Sequence, residues 1–398
     1  MNNTGALQGV KILDLSRVLA GPFATMMMAD MGAEVIKIEI PIKGDDSRQF
    51  GPFVKGESAY YMNLNRNKKG ITLNLKSPIG KEMFLKMIEK ADIILENYRP
   101  GTMEKLGLGY EELKKVNPAI IYACVSGFGH YGPYKDRAGY DIIGQAMSGL
   151  MSTTGFPGGE PTRTGTAMSD VLAGLSVTIG TLAALNYKNK TGLGQKVDVS
   201  LVDSTVASME IINQIYLVEK RIPERIGNRY ESVYPYDSFK ASDGRIVIAA
   251  GNDKLWSKVC ELMGKPELAT CEKFDKNIKR VNKHEEVKLI VEAWSSKHTI
   301  DELNDALLKV GVPVSPINTI DRVVKDPHIA GAREMFVEIE HPIAGKMKIT
   351  GSHIKLSKTK SSIRTPAPIL GQHNKEIYSE LLDFSEEEIK SMKEEGII

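Results

Sequence analysis

Cysteine is scarce: Cys124, Cys260 and Cys271 are the only three in 398 residues. Their odd number and wide spacing exclude a disulfide framework and offer no metal-ligand pair, so the chain is expected in the reducing cytoplasm. Net charge is equally lacking, with 52 Lys plus Arg against 50 Asp plus Glu. That balance leaves no electrostatic footprint for nucleic acid or an acidic membrane, and neither is expected as a partner. The seven histidines are scattered without HxH or HxxxH spacing, and no metal is expected. No GxSxG elbow and no glycine loop followed by Lys-Ser or Lys-Thr occurs, which removes two common routes to acyl and phosphoryl chemistry. Met1 to Gln8 lacks a basic start followed by an apolar core, so no secretory signal is expected. The nearest approach to a membrane span, Val171 to Leu185, is too short.

What is present is a globular composition, 42% hydrophobic and 26% charged, with enough length for two domains. Gly9 to Ser16, Phe23 to Met31 and Ala33 to Ile38 read as strand, helix and strand, a βαβ unit. Its first loop, Arg17 to Pro22, sits where open α/β sheets bind ligands. That loop is not GxGxxG, so Glu39 alone is weak support for a ribose-binding acid. Strands are expected again at Ile71 to Leu75, Ala91 to Glu96 and Ala119 to Ser126, and Val197 to Leu201 is extended. Strands alternating with helices predict a doubly wound, mostly parallel, Rossmann-like sheet. The long stretch Lys43 to Lys69 holds Lys68-Lys69, either a solvated face or a contact for phosphate. A hairpin is expected over Phe239 to Ala250, turning at Asp243-Gly244, with amphipathic helices over Asp253 to Leu308. The fold class is therefore α/β: a large domain over 1–220 completed by 325–398, and a smaller α+β domain over 230–320.

The stretch Gly165 to Asp170 places one carboxylate before the apolar run Val171 to Asn186, which predicts a helix of about four turns. Asp170 thus falls at or just before a helix N-terminus. There it either caps the free N–H groups of the first turn or serves chemistry as a nucleophile or base.

Several motifs, in one order and over nearly the whole chain, carry a closer resemblance. They are LDLSRVLAGP at 13–22, GAEVIKIE at 32–39, ENYRPG at 96–101, SGFGHYGPYKDRAGYD at 126–141, GTAMSD at 165–170, TGLGQKVDVSL at 191–201 and AAGND at 249–253. The sequence resembles the class III coenzyme A transferases, of the CaiB/BaiF and formyl-CoA transferase type. That resemblance implies a homodimer of interlocked two-domain chains, with coenzyme A and acyl-CoA as substrates and no prosthetic group. It implies that CoA passes from an acyl-CoA donor to a small organic acid through an anhydride and an aspartyl-CoA thioester on Asp170. It places Val18, Leu73, Asn97, Tyr98, Lys105, Leu106 and Arg137 in or beside the CoA-binding segments; on their residue types alone, Lys105 reads as a solvated helix residue and Leu73 and Leu106 as core.

Departures from the formyl-CoA member are informative. Lys105 stands where that member has Arg, which keeps the charge and loses the bidentate fork, and Ile40 replaces another Arg. Arg17 and Leu19 replace His and Gln, and Ala250-Gly251-Asn252 replaces a four-glycine loop. Arg17 suits the carboxylate of an acceptor and Leu19 an apolar wall, with Tyr140 and Asn252 as further substrate contacts; a small or branched acid is expected over oxalate. Two alternatives stay open: an α-methylacyl-CoA racemase or epimerase, whose G-H-D is Gly139-Tyr140-Asp141 here, and a noncatalytic acyl-CoA-binding protein.

Overall fold

The computed structural model describes residues 5–398, so Met1 to Thr4, part of the segment read for targeting, lie outside the described residues. The chain forms two compact units, Met1–Leu150 with Arg163–Glu219 and Pro327–Ile398, and Met151–Thr162 with Lys220–Asp326. Residues 151–162, expected within the large domain, belong to the second unit. Arg225 Nη1 donates to the Ser152 carbonyl at 3.0 Å, and the Gly227 N–H to the Gly155 carbonyl at 2.9 Å.

The first unit is built on a sheet of six strands: β1 (Lys11–Asp14), β2 (Glu34–Glu39), β3 (Lys68–Thr72), β4 (Ile93–Glu96), β5 (Ile121–Ser126) and β6 (Lys196–Ser200). Their spatial order is β3-β2-β1-β4-β5-β6 and every pairing is parallel. Five of these were expected as strands and the sixth as extended chain. The edge strand β3 starts three residues earlier than the apolar pattern suggests because Lys68 is an interior residue, its ammonium 3.0 Å from the buried carboxylate of Asp14. Lys68 is thus neither a solvated face nor a phosphate contact. Glu39 is likewise consumed internally, taking both Arg48 Nε at 2.8 Å and Nη2 at 2.7 Å, so it is no ribose-binding acid.

Helices cover both faces, which is why the central strands are buried on both sides. On one face α1 (Ala20–Asp30) and α4 (Met168–Thr191) pack Ala24, Met28, Ala173 and Val177 against Ile12, Ile93 and Ala123. On the other, α2 (Pro78–Glu89) sets Phe84, Met87 and Ile88 beside Tyr378 and Ile398 from the end of the chain. Helix α3 (Asp141–Met147) precedes α4. The helical run expected from Val202 to Glu219 breaks at Met209 into α5 (Leu201–Ser208) and α6 (Glu210–Glu219).

Helix α4 has 24 residues, against the 16-residue run read from the sequence, and spans about 36 Å. It extends past the apolar run at both ends and stops at Gly192, whose left-handed φ of 77° ends the helix. By length and composition α4 could cross a membrane. Its packing is that of a core helix: Gly174 lies so close to α1 that a Cβ there would sit 2.8 Å from the Ala20 carbonyl oxygen.

In the second unit, β7 (Tyr236–Ala241), β8 (Gly244–Ala249) and β9 (Val314–Pro316) form an antiparallel sheet in the order β9-β8-β7. Ala241 pairs with Gly244, so the hairpin turns at Ser242-Asp243, one residue before the expected position. Helices α7 (Asp253–Leu262), α8 (His284–Ser295) and α9 (Ile300–Lys309) cover one core, centred on Trp256, Phe239 and Val291.

Candidate active site

Strand order reverses between β1 and β4, because the chain runs outward from β1 through β2 to β3 and then returns to start β4 on β1's other side. Loops leaving adjacent strands at such a point diverge and open a crevice. A cavity of about 330 Å³ lies there. Its wall comes from the loops after β1, β4 and β5 and from the first turn of α4: Arg17, Val18 and Leu19; Asn97, Tyr98 and Arg99; Arg137 and Tyr140; and Asp170. No histidine is among its lining residues.

The loop after β1 is held from beneath. Asn97 Oδ1 accepts the Arg17 N–H at 2.7 Å, and its Nδ2 donates to the Arg17 carbonyl at 2.7 Å, so one side chain clamps both backbone groups of a single residue. Asp45 Oδ1 accepts the Val18 N–H at 3.1 Å, and Lys37 Nζ reaches Asp45 Oδ2 at 2.8 Å and the Ser16 carbonyl. These contacts keep Val18 at φ 65°, a conformation a β-branched residue adopts only when its surroundings dictate it. Burial works against charge in Lys37 and Asp14. It is outweighed by Asp45, Asp14 and Glu39 around Lys37, which raise its pKa, and by Lys68 and Lys37 around Asp14, which lower its pKa. Lys68 is instead pushed down to about 8, chiefly by burial.

Asp170 is the third residue of α4, not its cap; Ala167 is the N-cap and supplies no side-chain bond. The capping carboxylate comes from α3. Asp141 Oδ1 accepts the Ser169 N–H at 2.8 Å and the Asp170 N–H at 3.4 Å, and Oδ2 accepts from Gln145 Nε2 at 2.7 Å. With the Ser169 and Asp170 N–H groups taken by Asp141, the Asp170 carboxylate lies half-buried in the crevice wall and accepts no hydrogen bond from the described residues. Burial, and then the charge of Asp141, push its pKa up to about 7.

Three guanidinium groups border the same cavity. Arg17 Nη1 is 2.9 Å from Asp46 Oδ2, and its guanidinium lies 5.3 Å from the centre of the Tyr98 ring. Arg137 stacks on Tyr134 at 3.6 Å, and Arg99 is exposed at the rim. The combination suits an anionic ligand.

Residues named from the sequence divide accordingly. Arg17, Val18, Leu19, Asn97, Tyr98, Arg137, Tyr140 and Asp170 line this cavity. Leu73 is buried in the core, Leu106 packs against that core, and Lys105 is exposed on a short helix; none lines it. Asn252 lies in the second unit, where it caps α7 by accepting the Leu255 N–H at 2.8 Å. Sequence reading missed Asp45, Asp141 as the cap, Gln145, and Glu96, which ends β4. Glu96 accepts the Tyr98 N–H at 2.7 Å and the Tyr122 hydroxyl at 3.1 Å, and burial raises it to about 8. An acid closing an otherwise apolar strand was the available signal.

Glu96, Cys124 and His130 bring one donor atom each within 4.8 Å of one another. Lys196 Nζ sits 3.0 Å from His130 Nδ1. An ammonium donating there leaves the ring proton on Nε2, facing Glu96, so the imidazole lone pair does not point into the cluster and the set does not fit a metal.

The profile of CoA-transferase family III matches residues 7–374. The chain belongs to that family. This CoA-transferase is 41% identical to succinyl-CoA:glutarate CoA-transferase of Homo sapiens over 404 aligned residues, covering 100% of the chain and 91% of the relative. It is 41% identical to acetyl-CoA:oxalate CoA-transferase of Acetobacter aceti, covering 89% of the chain and 90% of the relative. Its fold superposes on the crystal structure of a CaiB/BaiF family protein from Brucella suis with a TM-score of 0.84 and 36% identity, over 95% of this chain and 100% of that one.

Proposed function

We propose that this CoA-transferase moves CoA between two carboxylic acids through covalent intermediates on Asp170. The observation that carries this reading is the state of that carboxylate: half-buried on the crevice wall, without a hydrogen-bond donor among the described residues, and raised to about 7. A carboxylate stripped of donors is more basic and more nucleophilic than a solvated one. Asp170 attacks the thioester carbonyl, the C–S bond breaks, and CoA leaves as thiolate from the resulting anhydride. The thiolate then attacks the Asp170 carbonyl, releases the donor acid as its carboxylate, and forms an aspartyl-CoA thioester. The incoming carboxylate attacks that thioester and expels the thiolate, which finally attacks the acyl carbonyl of the new anhydride. The new acyl-CoA departs and the Asp170 carboxylate is restored, with no net proton or electron exchanged.

Val18, Asn97, Tyr98 and Arg137 are proposed to hold CoA, the arginine by charge and the loop by its fixed backbone. Glutarate and oxalate, the acceptors in the two relatives' names, are both dicarboxylic acids. Arg17 offers a cation for the second carboxylate, and Leu19 an apolar wall for the methylenes that oxalate lacks. A succinyl-CoA donor with a glutarate-like acceptor is therefore the proposed pair. The racemase alternative has little chemistry to work with, since Tyr140 is exposed and the cavity has no imidazole. A homodimer is proposed on the exposed apolar side chains of Ile179 on α4 and of Leu217 and Val218 on α6. Rapid-quench mass spectrometry of the Asp170 peptide during turnover tests the mechanism: succinyl and CoA adducts are expected, and their absence in an active enzyme rejects it.

A further inference from the structure

Gln145 is fully buried in α3 and does not line the cavity. Its amide is nevertheless fully engaged. Nε2 donates to Asp141 Oδ2 at 2.7 Å and to the Thr166 carbonyl at 3.4 Å, while Oε1 accepts the Thr164 N–H at 2.9 Å and the Thr164 hydroxyl at 3.2 Å. Those partners lie on two pieces of chain that meet at Asp170: the acid that caps the first turn of α4, and the loop that leads into it. The surroundings leave little slack. A Cβ on Gly144 would fall 2.9 Å from the Ser169 Cβ, and the Thr205 hydroxyl donates to the Ser169 hydroxyl at 2.8 Å. A buried amide must recover its lost hydration through hydrogen bonds, and Gln145 does so on both its donor and its acceptor side. What the amide adds is direction: its donor side faces Asp141 and its acceptor side faces Thr164.

We propose that Gln145 is a positioning residue for acyl transfer, fixing the Asp141 carboxylate against the first turn of α4 and the Thr164–Thr166 loop against Asp170. This inference rests on the role of Asp170 given above. Asp141 is the charged neighbour that acts on Asp170 beyond burial, and Tyr60 feels both acids, so these three groups share one electrostatic setting. The amide determines where the negative charge of Asp141 lies within it.

Gln145→Glu keeps the acceptor for Thr164 and replaces the donor to Asp141 with a group that donates only when protonated. Gln145→Met keeps the volume and removes both. Each is compared with the wild-type enzyme for transfer rate against pH, using the acyl-CoA and dicarboxylate pair that the wild type turns over, and for CoA affinity by calorimetry. Gln145→Met is expected to lose 10- to 100-fold in kcat with CoA affinity within about twofold, and to move the acid limb of the profile. Gln145→Glu is expected to turn a profile that rises through about pH 7 into a bell, as the introduced carboxyl loses its proton. A wild-type profile and rate in Gln145→Glu overturn the proposal. So does a parallel fall of rate and CoA affinity with an unmoved profile, which marks general loosening. If Gln145→Met does not fold, Gln145→Glu alone decides. Asp170→Asn separates the two readings: retained transfer rejects the role of Asp170, whereas an inactive Asp170→Asn beside Gln145 variants of wild-type behaviour rejects only this inference.

Discussion

At the scale of single residues, Asp170 carries the strongest consequence because its environment disfavours its own charge. Its folded pKa lies above the unfolded value, so the folded state binds the proton more tightly. Stability is fully present below about pH 4 and is lost as pH rises to about 7, a cost of up to about 4 kcal/mol at pH 8. Asp170→Asn is therefore expected to melt higher than the wild type at pH 8, with the difference vanishing toward pH 4, while transfer falls by at least about a thousandfold. Paired melting curves and rates check both halves; a variant that is inactive and also less stable at pH 8 contradicts the account. Asn97 is the second such residue. Asn97→Asp retains the acceptor for the Arg17 N–H but removes the donor to its carbonyl. A loss of about 1–3 kcal/mol and weaker acyl-CoA binding are expected, measured by urea unfolding and calorimetry.

At the scale of elements, the site depends on charges buried under the sheet's end. Lys37 on β2 and Asp45 are both inaccessible to solvent and 2.8 Å apart. Lys37→Met strands Asp45 without its counter-charge, and a loss of about 3–5 kcal/mol in urea unfolding is expected, together with a looser loop after β1. Replacing Lys43, whose ammonium is exposed 3.0 Å from Asp46, is expected to change stability by less than about 1 kcal/mol. Helix α4 is the other exacting element. Gly174→Ala would drive a methyl into the Ala20 backbone, where no rotamer relieves it, at a cost of about 1–3 kcal/mol. Because α1 follows the crevice loop directly, the same substitution is expected to raise KM for acyl-CoA as well as lower the melting temperature.

At the scale of the whole molecule, near-neutral net charge and exposed apolar side chains on α4 and α6 act together: little self-repulsion opposes association, and apolar area favours it. In an obligate dimer the melting midpoint rises with protein concentration. A midpoint that stays constant over a hundredfold dilution, with a monomer in light scattering, would remove the dimer from the proposal.

Sequence alone determined what depends on local pattern. Alternating strands and helices gave the α/β class, a chargeless run gave the helix after Asp170, and GTAMSD with six companion motifs gave the family, because periodicity and motif order survive without coordinates. The outer strand at Lys68 was misplaced for the opposite reason: hydropathy reads a lysine as solvent-facing, and only the carboxylate of Asp14, 54 positions away, lets it lie inside. Sequence left Asp170 open between cap and reactive acid until Asp141, from another helix, took the N–H groups. A buried group's state is set by neighbours remote in sequence, and only the tertiary structure brings those neighbours within hydrogen-bond reach.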